Sequence, residues 1–180
     1  QGERPMITEN GVEDYDPRER DVPEWTIDEF QSHVGQEIGV SPWYDVTQKD
    51  VDAFAVATDD RNFIHVNPAR AKESGLPGTI AHGFFTLSLL AGFSYKTTPK
   101  LKGAVMGYNY GVDKARFVAQ VPVGSRVRGR YTLADVQVKE GAVVTAYDVK
   151  VEIEGQELAN GGKPALVATS RGYAVMGDDA

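Results

Sequence analysis

Apolar positions recur at two different periods along this chain, and the change of period divides it into two halves. In TIDEFQSHVGQ, Phe30 and Val34 lie four apart behind Thr26, a residue suited to capping, and Gly35 supplies a stop, so a short helix is expected. QEIGVSPWYDVT reads as strand, with Pro42 marking an edge or a bulge. Thr47 caps TQKDVDAFAVAT, where Val51, Phe54 and Ala55 form a stripe at helical spacing. Asn67-Pro68 opens another short helix, PARAKES, closed by Gly75. HGFFTLSLLAGFSYK, residues 82–96, is apolar or small almost throughout. A helix that is hydrophobic nearly all round is a buried one, so this segment is the expected centre of the domain.

The second half alternates instead. AVMGYNYG, KARFVAQV, SRVRGRYTLADVQV, AVVTAYDVKVEIEG and PALVATSRGYAV read as five strands. The fourth is the clearest, with Val143, Thr145, Tyr147, Val149, Val151 and Ile153 at a period of two. KEGA, residues 139–142, signals a hairpin turn. Apolar parity switches from Val127, Tyr131 and Leu133 to Val136 and Val138, which a bulge near Ala134-Asp135 explains. A buried helix followed by an antiparallel meander predicts an α+β fold, a curved sheet wrapped around a long central helix.

Composition narrows the picture. With 180 residues, 41% hydrophobic and 25% charged, the chain has the size and balance of one globular domain, expected over residues 25–180. Residues 1–24 are acidic, contain Pro and lack an apolar period, so they are expected to form an extended or disordered arm. A net charge of −7 argues against general nucleic-acid binding, which needs clustered cations. The absence of cysteine removes disulfides, thiolate nucleophiles and cysteine-based metal sites. No stretch reaches the roughly 20 apolar residues of a membrane helix and no secretory leader opens the chain, so a cytoplasmic protein without membrane partners is expected.

Candidate chemistry concentrates in residues 58–85. Asp60, Asn62 and His65 stand at the spacing D-x-N-x-x-H, and His82-Gly83 follows at the head of the apolar helix. A carboxylate and an imidazole a few residues apart can move a proton on and off water. Backbone N–H groups at a helix start can polarise a carbonyl. The spacing alone is a weak signal, because Asp and Asn are common loop residues. His82 reads as a cap or packing residue at the helix start, and Asp59 as a solvated loop charge. Lys114, Arg116, Arg126, Arg128 and Arg130 read as a solvated strand face. A metal site would require His65 and His82 together with Asp60, which nothing in their spacing demands; no metal is expected.

The stretch around Asp60, Asn62 and His65, followed by Ile80-Ala81-His82-Gly83, resembles the signature of MaoC-like, or (R)-specific enoyl-CoA hydratase, proteins of the hot-dog fold, in their NodN-like branch. That signature is usually written around G-D-x-N-P-x-H; here Asp59 replaces the common Gly and Phe63 the common Pro. The resemblance spans roughly residues 25–173. It implies reversible addition of water to a trans-2-enoyl thioester, usually on coenzyme A, which enters as substrate with no further cofactor. It assigns Asp60 and His65 jointly to proton transfer, Asn62 to orientation of substrate or loop, and the Gly83 N–H to the thioester oxygen. Arg116 becomes the first choice for the phosphates of coenzyme A. A homodimer with continuous sheets is expected, because one such unit leaves a sheet edge exposed. The rival readings are a hot-dog acyl-CoA thioesterase and a non-catalytic acyl-CoA-binding protein. Thioesterases of this fold commonly place an acid on or beside the central helix, and residues 79–100 contain none.

Overall fold

The computed structural model describes Val12 and residues 16–177. Most of the expected arm, residues 1–11 and 13–15, lies outside the described residues. Its C-terminal end is laid against the body: Asp16 caps a 3-10 turn at Pro17–Glu19, and β1 (Glu24–Trp25) pairs in parallel with β4 (Lys100–Leu101).

Capping chemistry sets the helices of the first half. Thr26 and Glu29 form a reciprocal capping box at the start of α1 (Ile27–Ser32), and Gly35 then takes the left-handed conformation. Thr47 and Asp50 form a second box at α2 (Gln48–Thr58). Asn67 caps α4 (Pro68–Glu73), and α5 (Gly83–Tyr95) is the long central helix. The strand expected around Pro42 is two short pieces, β2 (Glu37–Val40) and β3 (Tyr44–Asp45), both paired with β6 (Arg126–Lys139).

The main sheet runs β2-β6-β7-β8-β5, with β7 at Ala142–Ile153, β8 at Leu166–Met176 and β5 at Ala104–Phe117. The hairpin turn falls between Lys139 and Ala142, and the register shifts between Leu133 and Asp135, where the change of parity required a bulge. Sheet and helix share one core, in which Phe85, Leu90 and Phe93 meet Val127, Tyr131, Val149 and Val151. The Tyr131 hydroxyl donates to the Leu90 carbonyl at 2.7 Å, satisfying a buried polar group while tying helix to sheet.

Two expectations need correction. AVMGYNYG and the start of KARFVAQV are one strand, β5, interrupted by a register shift between Asp113 and Arg116, where Lys114 adopts a φ of 54°. A bulge breaks alternation as a turn does, which is why one strand reads as two. The central helix is not buried all round either: Phe84 is 67% exposed, and Ser88 and Gly92 share its outer face. The basic strand face is largely paired. Arg126 bonds Glu154, Arg130 bonds Glu37, and Arg128 stacks over Trp43 while donating to Glu152 at 2.8 Å. Glu152 is wholly buried. Burial pushes its pKa up, but hydrogen bonds from Arg128 and the Leu158 N–H, with the nearby charge of Arg130, outweigh that and hold it below the ordinary value.

Candidate active site

The site begins where α2 ends. Asp59 caps that helix in the left-handed conformation, φ 57°, with its carboxylate exposed and paired with Arg61. Glycine suits such a position for want of a Cβ, and aspartate is among the side chains that visit it, so the departure at residue 59 keeps the turn. Asn62 then caps a one-turn helix, α3 (Phe63–Val66), its Oδ1 accepting from the Ile64 N–H at 3.3 Å. Phe63 occupies the first helical position, where proline is favoured because no N–H is needed. Its ring lies 4.4 Å under the Arg70 guanidinium.

That single turn aims His65 inward. Its side chain is buried, and Nδ1 donates to the Ile80 carbonyl at 2.7 Å, which leaves Nε2 as the nitrogen able to accept a proton. Burial lowers the His65 pKa below the ordinary value, with the neighbouring His82 adding to the effect; the Ile80 carbonyl and Asp60 pull the other way. Gln48 braces the same turn, donating to the His65 carbonyl at 2.8 Å and accepting from the Thr79 hydroxyl at 2.6 Å.

Asp60 is 56% exposed at its side chain, yet one ligating atom from each of Asp60, His65 and His82 falls within 4.8 Å of the others. The carboxylate and the imidazole singled out by spacing are therefore neighbours in space. His82 packs as expected but does not cap: it precedes α5 with no side-chain cap bond. Its ring stacks on His65 with centroids 3.8 Å apart and planes 29° apart. His65 and Gly83 line a common cavity of about 220 Å³, with Thr86, Phe117, Gln120 and Ala165 among its other walls. Gly83 opens α5, so its N–H belongs to the first turn, where no intrahelical acceptor exists. A Cβ at Gly83 would fall 2.7 Å from the Phe117 ring.

The remaining expectations fare differently. Asn62 is exposed and spends its side chain on the loop. Arg116 is exposed and bonds the Ala115 carbonyl at 2.9 Å; neither it nor Asp60 is among the walls of the His65–Gly83 cavity, which its neighbour Phe117 lines. Asp60, His65 and His82 are the only described residues whose donors converge as a metal site would need. Gln48 and α3 escaped sequence reasoning; besides Asp52 one turn on, the glutamine's partners at the site lie 17 and 31 residues away and leave no local signal.

A family model described as MaoC like domain matches residues 29–154 of this chain. The chain belongs to the MaoC-like family. Nodulation protein N of Rhizobium leguminosarum bv. viciae is 48% identical over 147 residues, covering 81% of this chain and 88% of that protein. The 3-hydroxyacyl-thioester dehydratase Z of Mycobacterium tuberculosis is 40% identical over 146 residues, covering 81% of this chain and 93% of that protein. Among solved structures, the (R)-hydratase from A. caviae superposes with a TM-score of 0.61 at 22% identity, covering 77% of this chain and 94% of that one. The MaoC-like fold is thus shared well beyond close sequence similarity, and its curved antiparallel sheet around α5 is the hot-dog architecture expected from the sequence. Among the described residues no helix is long and apolar enough to cross a membrane.

Proposed function

We propose that this MaoC-like protein is an (R)-specific enoyl-thioester hydratase, running reversibly as a 3-hydroxyacyl-thioester dehydratase on coenzyme A esters. One observation carries the reading: the Asp60 carboxylate lies close to the His65 imidazole, and His65 in turn lines the cavity where the first turn of α5 begins. Hydration must take a proton from water as its oxygen bonds C3, deliver a proton to C2, and stabilise negative charge on the thioester oxygen meanwhile. His65 Nε2, with Nδ1 held by Ile80, is oriented to take the first proton. Asp60 shares the water, and the pair returns a proton to C2; their titrations are coupled, so the roles belong to the pair. The Gly83 N–H, reinforced by the α5 dipole, faces the developing oxyanion. The dehydratase among the relatives supports this reading, as does the lack of any acid along α5, which disfavours hydrolysis. No metal or organic cofactor is needed for these steps.

Crotonyl-CoA tests it directly. Loss of enoyl absorbance with formation of (R)-3-hydroxybutyryl-CoA, undiminished by EDTA, is expected; thiol release without hydration would show a thioesterase, and no reaction with any enoyl thioester an acyl-CoA binder. Because burial depresses the His65 pKa, kcat/KM should hold as pH falls past the ordinary histidine value of 6.5 and decline only below it. A pH profile whose acid limb sits above 6.5 would contradict that environment.

The partner reading is a second copy of the chain. β5 ends the sheet with one edge unpaired among the described strands, and carries Val105, Met106, Tyr108, Tyr110 and Val112 exposed. An apolar open edge invites pairing, and antiparallel pairing of β5 with itself about a two-fold axis closes it. Light scattering should give twice the 19.6 kDa chain mass; a monomer at micromolar concentration would rule this out.

A further inference from the structure

His82 is the buried polar group that the chemistry above leaves unused. It is 2% exposed, and its Nε2 lies 2.9 Å from the Asp60 carbonyl oxygen and 4.0 Å from Asp60 Oδ2. A carbonyl accepts only, so the proton of the ring sits on Nε2. Nδ1 is then a buried acceptor with no partner among the described residues. An orphaned polar atom in a buried place costs stability, and a phenylalanine of similar volume would fill the space without that cost. Phe54 already packs against the ring at 5.1 Å, so the surroundings suit a hydrocarbon. Something other than packing accounts for a histidine here.

Position supplies it. The backbone of His82 precedes Gly83 and starts α5, while its side chain grips the backbone of Asp60, 22 residues earlier. Its face stacks on His65. One residue therefore touches both members of the proton-transfer pair and is covalently joined to the amide proposed to bind the oxyanion. Asp60 needs such a hold, because its side chain is exposed and it precedes α3 in a loop. Reacting groups must be held to within about half an ångström of productive geometry to be effective.

We infer that His82 is a positioning residue for hydration: its Nε2–H clamps the Asp60 backbone to the start of α5, setting the carboxylate, the His65 ring and the Gly83 amide in mutual register. This rests on the hydratase reading but predicts a separate pattern. His82→Phe keeps the packing and removes the donor, and should lower kcat for crotonyl-CoA hydration by roughly 10²-fold with KM changed less than about threefold. His82→Gln carries an amide nitrogen at the reach of Nε2 and should recover at least a tenfold share of the loss. Both should unfold within a few degrees of the wild type.

Amide hydrogen exchange gives a readout that does not require turnover. Residues 59–65 should exchange about tenfold faster in His82→Phe than in wild type or His82→Gln, with α2 and the sheet unchanged. A Phe variant with wild-type kcat and wild-type exchange in that loop overturns the clamp while leaving the hydratase reading intact. An inactive wild type whose loop still loosens in the Phe variant sinks the hydratase reading alone. Equal losses in the Phe and Gln variants would show that restoring a donor at the reach of Nε2 restores nothing, and would overturn the clamp.

Discussion

Asp60→Asn is expected to reduce kcat for enoyl-thioester hydration by roughly 10²- to 10⁴-fold, the range that a positioned acid or base contributes. Its carboxylate is more than half exposed, so the same change should alter stability by no more than about 0.5 kcal/mol. His65→Gln should cost as much in rate, but it also breaks the buried bond to the Ile80 carbonyl and should cost about 1–3 kcal/mol in denaturant unfolding. The contrast between the two is informative. A structural role for the loop would couple lost activity to lost stability in both variants, whereas proton transfer couples them only at His65. Either variant retaining more than a tenth of the wild-type rate removes that residue from the chemistry.

Gly83→Ala is the second large effect. The added methyl would fall 2.7 Å from the Phe117 ring, at the cavity that Gly83 shares with His65. Phe117 is 47% exposed and can swing aside, so the fold should survive. The methyl also stands beside the amide proposed to meet the thioester oxygen, and losing such a donor costs about 3 kcal/mol in the transition state, or roughly 10²-fold in rate. Pairing the change with Phe117→Ala separates the two causes. The double variant relieves the steric contact and should regain stability, yet kcat should stay low because the approach to the amide remains obstructed. Full recovery of kcat in the double variant would assign the loss to the ring alone.

Much of this arrangement was legible in the sequence because it rests on local rules. Thr26, Thr47 and Asn67 cap helices in the fold as their residue types require, and the parity switch near Ala134 located the bulge of β6 to within a residue. Asp60 and His65 are legible as a pair because they stand only five positions apart in one short segment. What escaped notice depends on distance along the chain or on an unusual φ. The grip of His82 on Asp60 joins residues 22 apart, and Gln48 reaches His65 from another helix. The single Lys114 with positive φ made one strand resemble two, and the exposed flank of α5 cannot be read from a segment whose hydrophobicity is nearly uniform.

The ion pair inside the sheet bears on how this chain can diverge. Glu152 is sealed from water and relies on Arg128, with Arg130 further off at 3.5 Å. Replacing Arg128 by a neutral residue would strand an anion in the interior at about 3–5 kcal/mol, a large share of a domain's total stability, whereas exchanging all three partners for hydrocarbon could be harmless. Positions 128 and 152 are thus expected to drift together or not at all, and descendants that abandon the cation should have abandoned the acid with it.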